Sequence, residues 1–260
     1  MDFQALAGFL DRLADAATEA IMPHFRVATA VENKKQEAFD PVTEADRGAE
    51  AAMRKLINET WPGHGIIGEE YGAERDDAEC IWVLDPIDGT RSFISGIPLW
   101  GVLIGLLVEG RPALGMMAQP FTGERFSGDG KQAWYAGARG RIELRSRPCP
   151  SLGEAVLFTT TPALFKGGDK SAYERVESSV RMPRYGTDCY GYCMVAAGHA
   201  DLVVEAGLQP YDVVALIPIV EGAGGRFTGW DGGSAAGGGK VVAAGDPRLH
   251  ALALEKLAGA

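Results

Sequence analysis

Cysteine, histidine, positive charge and long apolar runs are all scarce in this 260-residue chain. No apolar run approaches the roughly 20 residues that a bilayer-spanning helix needs, so insertion in a membrane is not expected. The chain begins Met-Asp-Phe-Gln, without a basic leading segment, so no signal peptide is read and a cytoplasmic protein is expected. The only cysteines are Cys80, Cys149, Cys189 and Cys193, which in that setting read as reduced thiols. Cys189 and Cys193 stand four apart, a spacing that can hold zinc, but no nearby histidine or second pair completes a site. His24, His64, His199 and His250 are scattered and read as structural or surface residues. Lys and Arg number 25 against 35 Asp and Glu, a net charge of −10, which argues against a nucleic-acid backbone as partner. A phosphate-bearing ligand would have to be drawn in by local positive charge or by bound cations.

What is present is ordinary for a globular protein: 46% hydrophobic and 23% charged residues, in a length that suits one large domain or two joined lobes. The most informative stretch is Trp82-Val-Leu-Asp85-Pro-Ile87-Asp88-Gly89-Thr90-Arg91-Ser-Phe93-Ile-Ser95. Ile81–Leu84 reads as a buried strand running into Asp85, with Asp88 three residues on. Pro86 fixes its own φ and has no N–H to donate, Gly89 lets the backbone approach a ligand, and Thr90 adds a hydroxyl. Two carboxylates on one tight turn repel each other unless a cation sits between them, and hard oxygen ligands favour Mg²⁺. A solvated Asp/Gly turn is the plain alternative for this segment alone.

Residues 3–25 carry apolar positions Phe3, Leu6, Phe9, Leu10, Leu13, Ala17 and Ile21, one face of an amphipathic helix. Lys34 and Lys35 lie in a polar loop ahead of Asp40-Pro-Val-Thr43-Glu-Ala-Asp46, where one could guard a site entrance. Thr43 and Asp46 have capping-box spacing for a helix over about 44–59. Capping alone explains them, although a capping acid can also serve a site at that helix end. Gly65–Gly68 reads as a short strand ending at Glu69-Glu70, so Glu69 and Asp85 could meet at adjacent strand ends. Strands are expected at Leu99–Val108, Pro112–Gln119, Glu124–Gly128 and Gln132–Tyr135, giving a strand-rich, mostly antiparallel lobe.

A second lobe is expected from near Pro148. It has strands at 155–160, 183–186, 201–205 and 241–244, and helices at 169–180, 188–198, 210–222 and 247–258, an alternation that implies an α/β layer. Pro210 suits a first helical turn and places Asp212 near that helix N-terminus, while Pro218 predicts a kink or an early break. Gly232–Gly239 lacks the ending of a P-loop and reads as a surface turn. The expected organisation is residues 1–147 as an α+β lobe and residues 148–260 as an α/β lobe, together one catalytic unit.

Four ordered motifs resemble the inositol-monophosphatase superfamily of Mg²⁺-dependent, Li⁺-sensitive phosphatases. They are Asp40-Pro-Val-Thr43-x-x-Asp46, Gly68-Glu69-Glu70, Trp82-x-x-Asp85-Pro-Ile87-Asp88-Gly89-Thr90-x-x-Phe93, and Tyr211-Asp212 followed by Glu221-Gly-Ala-Gly-Gly225. The match in order and spacing runs from about residue 5 to 255. The resemblance implies a mixed α+β fold, a layered αβαβα sandwich of the sugar-phosphatase type in two lobes, and a homodimer. Residues 88–100, Tyr185-Gly-Thr-Asp188-Cys-Tyr190 and Leu208-Gln-Pro-Tyr-Asp212 are similar to the histidinol-phosphate phosphatase branch.

By that resemblance one Mg²⁺ is held by Glu69, Asp85 and the carbonyl oxygen of Ile87, a second by Asp85, Asp88 and Asp212, and a third, weaker ion shares Glu69; Mn²⁺ is the alternative metal. Asp46, Glu69 and Thr90 are the implied catalytic residues, with Asp46 and Thr90 taking a proton from the attacking water. Gly89, Thr90, Arg91, Asp188 and Glu205 are the implied substrate residues. Backbone N–H groups of Gly89 and Thr90 would cradle phosphate. Asp188 and Glu205 would bind the ammonium of L-histidinol phosphate, although Asp188 can equally be a helix N-cap. Arg91 either pairs with an acid or faces the phosphate. The alternatives are inositol 1-phosphate or another small phosphate monoester as substrate, and a metal-dependent binding protein without turnover.

Overall fold

The computed structural model describes residues 3–27, 31–33 and 41–259. Lys34, Lys35 and Asp40 lie outside the described residues. In chain order the first part contains helix α1 (Phe3–Ile21), strands β1 (Val31–Asn33) and β2 (Pro41–Thr43), helix α2 (Glu44–Thr60), strands β3 (Gly65–Gly68), β4 (Gly72–Glu74) and β5 (Cys80–Asp88), and the short helix α3 (Thr90–Ile94). Strands β6 (Gly101–Val108), β7 (Arg111–Gln119), β8 (Glu124–Gly128), β9 (Ala133–Gly137) and β10 (Gly140–Glu143) follow. The second part runs β11 (Val156–Thr159), α4 (Gly167–Glu177), β12 (Met182–Tyr185), α5 (Asp188–Ala196), β13 (Leu202–Leu208), α6 (Pro210–Val213), α7 (Leu216–Gly222), β14 (Arg226–Gly229), β15 (Gly239–Ala244) and α8 (Pro247–Ala258).

Strands β1 and β2 pair as a two-stranded antiparallel sheet, and two larger sheets organise the remaining elements into five layers. The eight-stranded sheet has the order β10-β9-β8-β7-β6-β5-β3-β4, and every pairing in it is antiparallel except β3 with β5. The five-stranded sheet has the order β12-β11-β13-β15-β14, with β12, β11 and β13 parallel. Helices α1 and α2 cover one face of the large sheet, burying Leu6, Phe9, Leu13, Met53 and Ile57 against Trp82, Leu84, Ile104 and Leu106. Its other face shares a core with α5, α7 and one face of the small sheet, through Leu103, Met117, Val195, Ile219, Val203 and Phe227. The far face of the small sheet buries Leu157, Val204 and Val242 under α4 and α8. This is the expected mixed α+β, αβαβα layering. The short edge strands β4 and β10, and β14, are not anticipated from the sequence; β10 is exposed along its whole length, so no apolar periodicity marks it.

Two local features place the site. Gly105, Gly115 and Gly128 sit in register across β6, β7 and β8. A Cβ on Gly115 would stand 1.9 Å from the carbonyl oxygen of Ala215, and one on Gly128 would stand 2.3 Å from that of Pro218. This bare groove lets the α6–α7 segment lie directly on the large sheet. The expected helix over 210–222 is in fact two helices, broken at Val214–Ala215. Pro218 is the cause: its ring would clash with the carbonyl of the residue four before it, which is Val214.

Candidate active site

The site lies at the seam between the two sheets. Its centre is the end of β5. The register of β5 against β6 steps from Asp85 opposite Leu103 to Asp88 opposite Gly101, so one extra residue is accommodated on β5. Positions three apart on a regular strand face opposite ways, whereas this bulge turns both carboxylates to the same side. Pro86 falls inside the bulge, where no ladder N–H is needed. Asp85 is buried, and its Oδ1 accepts the N–H of Ile87 at 3.0 Å. Gly89 follows with φ +86° and caps α3. A Cβ there would meet the Leu99 carbonyl oxygen at 2.9 Å and the Asp188 Cβ at 3.3 Å.

Asp212 arrives from α6, which follows the strand β13 of the small sheet. Pro210 occupies the first turn of α6, and Asp212 accepts the N–H of Gln209 at 2.6 Å, closing a capping box. Asp85, Asp88 and Asp212 then offer carboxylate oxygens that all lie within 4.8 Å of one another. Among the described residues this is the one acid, histidine or cysteine group with ligand spacing. Burial, then the charges of Glu69, Asp88 and Asp212, hold the Asp85 carboxyl far above the usual range. Burial and the charges of Asp188 and Asp212 do the same for Asp88. Asp212 is pushed up to about 7, chiefly by burial, with the charge of Glu69 adding to it. The N-terminal amide of α5 offsets part of this cost, since Cys189 N–H donates to Asp88 Oδ2 at 2.6 Å. Three crowded carboxylates with oxygen as their only donor atom fit a hard divalent cation such as Mg²⁺. Burial and the charge of Asp88 push the pKa of the neighbouring Cys189 thiol well up.

The other expected residues fall around this group. Glu69 follows β3, at the edge of the three-acid group, where its charge raises the pKa of both Asp85 and Asp212. Asp46 is the capping acid of α2: its Oδ2 accepts the Thr43 N–H at 2.8 Å and the Thr43 hydroxyl at 2.6 Å. The Thr90 hydroxyl donates to the Ile87 carbonyl at 3.0 Å. Asp188 is not the N-cap of α5. Thr187 holds that position, and Asp188 is the first helical residue, in the left-handed region at φ +42°. Its carboxylate instead accepts from the Thr160 hydroxyl at 3.3 Å and the Ser92 hydroxyl at 3.5 Å. Burial raises the Asp188 pKa, and those hydroxyls and Arg91 pull it back. The charge of Arg91 thus reaches Asp188. Glu205 is buried on β13; Oε1 accepts the Thr160 N–H at 2.5 Å, and Oε2 has no hydrogen-bond partner. Burial, with the charge of Asp188 adding, pushes Glu205 up to about 7.

Two residues near the site escape a reading of the sequence. The Tyr192 phenol is buried without a hydrogen-bond partner, and the charges of Glu205, Asp88 and Asp212 reach it. It lies one helical turn after Asp188, a spacing that could have flagged it. Glu50, fully buried on α2, is the other. His64 and His250 are structural: His64 stacks on Trp61 and accepts from Trp82, and His250 bonds Thr228.

Fold and site together define an α+β protein with a cluster of three carboxylates that could hold a metal ion. The inositol monophosphatase family model matches residues 2–259. The chain is 44% identical over 257 residues to the bifunctional phosphatase IMPL2, chloroplastic, of Arabidopsis thaliana, covering 94% of this chain and 72% of that protein. It is 36% identical over 215 residues to a histidinol-phosphatase of Chlorobaculum parvum, covering 82% and 81%. A solved inositol monophosphatase from Zymomonas mobilis superposes with a TM-score of 0.88 at 41% identity, covering 99% of both chains. The chain belongs to the inositol monophosphatase family, a family of metal-dependent phosphatases. No helix among the described residues is long and apolar enough to cross a membrane.

Proposed function

We propose that the chain is a Mg²⁺-dependent histidinol-phosphate phosphatase, converting L-histidinol phosphate and water to L-histidinol and phosphate. The observation that carries this reading is the pair of acids beside the metal-type centre. Asp188 is held at φ +42° with its carboxylate in the seam, and Glu205 keeps one buried oxygen without a partner. An ammonium group satisfies both through charge-assisted hydrogen bonds. An inositol ring offers hydroxyls alone and brings no positive charge of its own to the two acids. The histidinol-phosphatase name of the Chlorobaculum parvum relative supports the same substrate. Inositol 1-phosphate is the second reading, favoured by the name of the Zymomonas mobilis structure.

In this proposal Glu69, Asp85 and the Ile87 carbonyl hold one ion, and Asp85, Asp88 and Asp212 hold the other. Bound cations there supply charge neutralisation and Lewis-acid polarisation of the P–O bonds. The chain's own residues do the rest. Gly89, free of a Cβ, lets its backbone and that of Thr90 approach the phosphate oxygens. Thr90 donates its hydroxyl hydrogen to the Ile87 carbonyl and so presents lone pairs to an incoming water. Asp46, acting with Thr90, accepts the proton this water loses, and Glu69 acts through the ion it would hold. Arg91 lies on the Asp188 side, where its charge favours the ionised Asp188 carboxylate.

Asp188→Ala tests the substrate. A hydrogen bond to a charged group contributes about 1.5–3 kcal/mol, so kcat/KM for L-histidinol phosphate should fall by roughly 10- to 150-fold. Hydrolysis of inositol 1-phosphate should change little. Equal losses on both substrates would remove the amine-binding role.

A further inference from the structure

Glu50 is a fully buried acid in the middle of α2 that none of the chemistry above uses. Its carboxylate is spent on the turn between β3 and β4. Oε2 accepts the N–H of Glu70 at 2.7 Å, and Oε1 accepts the N–H of Tyr71 at 3.2 Å. Arg54, one helical turn further along, donates Nε to Oε1 at 2.7 Å and reaches the Gly72 carbonyl at the far side of the same turn. From the other side, Glu69 N–H bonds the Leu84 carbonyl at 3.2 Å, next to Asp85. The backbone of Glu69 is thus gripped between β5 and the Glu50–Arg54 pair. Gly68 makes room for this grip, because a Cβ there would stand 2.0 Å from Glu50 Oε1.

We propose that Glu50 is a positioning residue that fixes the Glu69 turn against Asp85 and thereby sets the affinity of the site for its divalent cation. The Glu70 and Tyr71 amides are half-buried against Glu50, so the turn favours the course that gives both an acceptor. Glu50 dictates that course from a rigid helix, and the same helix carries Asp46 one turn earlier. The inference rests on Glu69 being an ion ligand, as proposed above.

The test is Mn²⁺ binding to the substrate-free protein, followed by the electron paramagnetic resonance signal of the free ion, with Tm recorded for each variant. Loss of a residue that orients a metal ligand costs about 10- to 100-fold in metal affinity, so Glu50→Gln should raise the Mn²⁺ Kd by that factor. At saturating metal its kcat should recover to within a few-fold. Met53→Ala, a buried change on the same helix away from the turn, should lower Tm while leaving Kd within about twofold. A lowered Tm with an unchanged Kd in Glu50→Gln would overturn the proposal. Gly68→Ala supplies a second arm, because its methyl displaces the Glu50 carboxylate. It should raise Kd as Glu50→Ala does, and the double variant should be no worse than Glu50→Ala alone. Additive losses would overturn the proposal as well. A wild-type protein that binds neither Mn²⁺ nor Mg²⁺ would overturn the ion assignment itself. Normal wild-type binding with a normal Glu50→Gln sinks the positioning role alone.

Discussion

Replacing Asp88 with Asn should make the metal-free protein more stable and the enzyme inactive. Asp88 shares a space with Asp85 and Asp212 in which the carboxylate oxygens lie within 4.8 Å of each other. At that separation, with an effective dielectric constant near 20, each ionised pair costs roughly 3 kcal/mol. Protonation caps the penalty, since a carboxyl whose pKa has risen takes up a proton rather than bear the full repulsion. A net gain on the order of 1–3 kcal/mol is therefore expected for Asp88→Asn without metal, or about 3–10 °C in Tm for a chain of this size. The Asn oxygen can still accept the Cys189 N–H, so the cap on α5 survives. The pH dependence has a definite sign. An acid whose folded pKa lies above its unfolded value makes the fold lose stability as pH rises between the two. For Asp212 that window runs from 3.8 to about 7. The advantage of the variant should be small at pH 4 and grow as pH rises, because the folded value of Asp88 itself is also held well above 3.8.

Divalent cations reverse the order. At 100 times its Kd a ligand adds about 2.7 kcal/mol to the stability of the folded state. Wild type should gain about 5–10 °C in Mg²⁺ and Asp88→Asn much less. Thermal unfolding followed by circular dichroism at pH 4 and pH 7.5, in EDTA and in Mg²⁺, gives all eight values. A variant less stable than wild type in EDTA at pH 7.5, or equal stabilisation of both proteins by Mg²⁺, would refute the picture of three repelling acids awaiting a cation.

Glu205, pushed up to about 7, should impose its own pH limb on the amine-bearing substrate. Below pH 7 it is neutral and attracts the ammonium weakly, so kcat/KM for L-histidinol phosphate should rise through about pH 7, and Glu205→Gln should abolish that limb. Because the raised pKa belongs to an acid, Glu205→Gln should also be the more stable protein above pH 7, which a Tm series checks. Gly115→Ala should force α7 off the large sheet, because the new Cβ would overlap the Ala215 carbonyl. Overpacking of this kind costs about 1–3 kcal/mol or more, and Mg²⁺ affinity should fall with it, since Asp212 rides on the adjoining turn. Urea unfolding and a metal titration of the same variant check both effects.

The part of this site that was legible in the sequence is the part that is local. Asp85, Pro86, Asp88, Gly89 and Thr90 occupy one bulged strand end, and their chemistry follows from residue types at fixed spacing. Asp212 and Asp188 reach the same place from α6 and α5, across the sheet seam. Nothing within their own segments announces that convergence, and a resemblance to a known family suggested it. The reading of Asp188 as an N-cap failed because spacing cannot reveal a positive φ, which turns its side chain towards Ser92 and Thr160 and away from its own helix. Glu50 was passed over because a glutamate in a helix usually faces water. The available signal was its place on the buried stripe of α2, beside Ala45, Ala49, Met53 and Ile57. Pro218 did announce a break, and the break falls at Val214, where the ring's clash requires it. Strand β14 was missed because Arg226–Gly229 is short and surrounded by glycines, and it becomes a strand by pairing with β15.

The most direct measurement is phosphate release by the purified protein from L-histidinol phosphate and from inositol 1-phosphate, as kcat/KM, in Mg²⁺ and in EDTA. The expected result is at least a tenfold preference for L-histidinol phosphate, with activity on both substrates abolished by EDTA and restored by Mg²⁺. A preference for inositol 1-phosphate would contradict the role given to Asp188 and Glu205 while leaving the acid centre intact. Hydrolysis that persists in EDTA would contradict the centre itself.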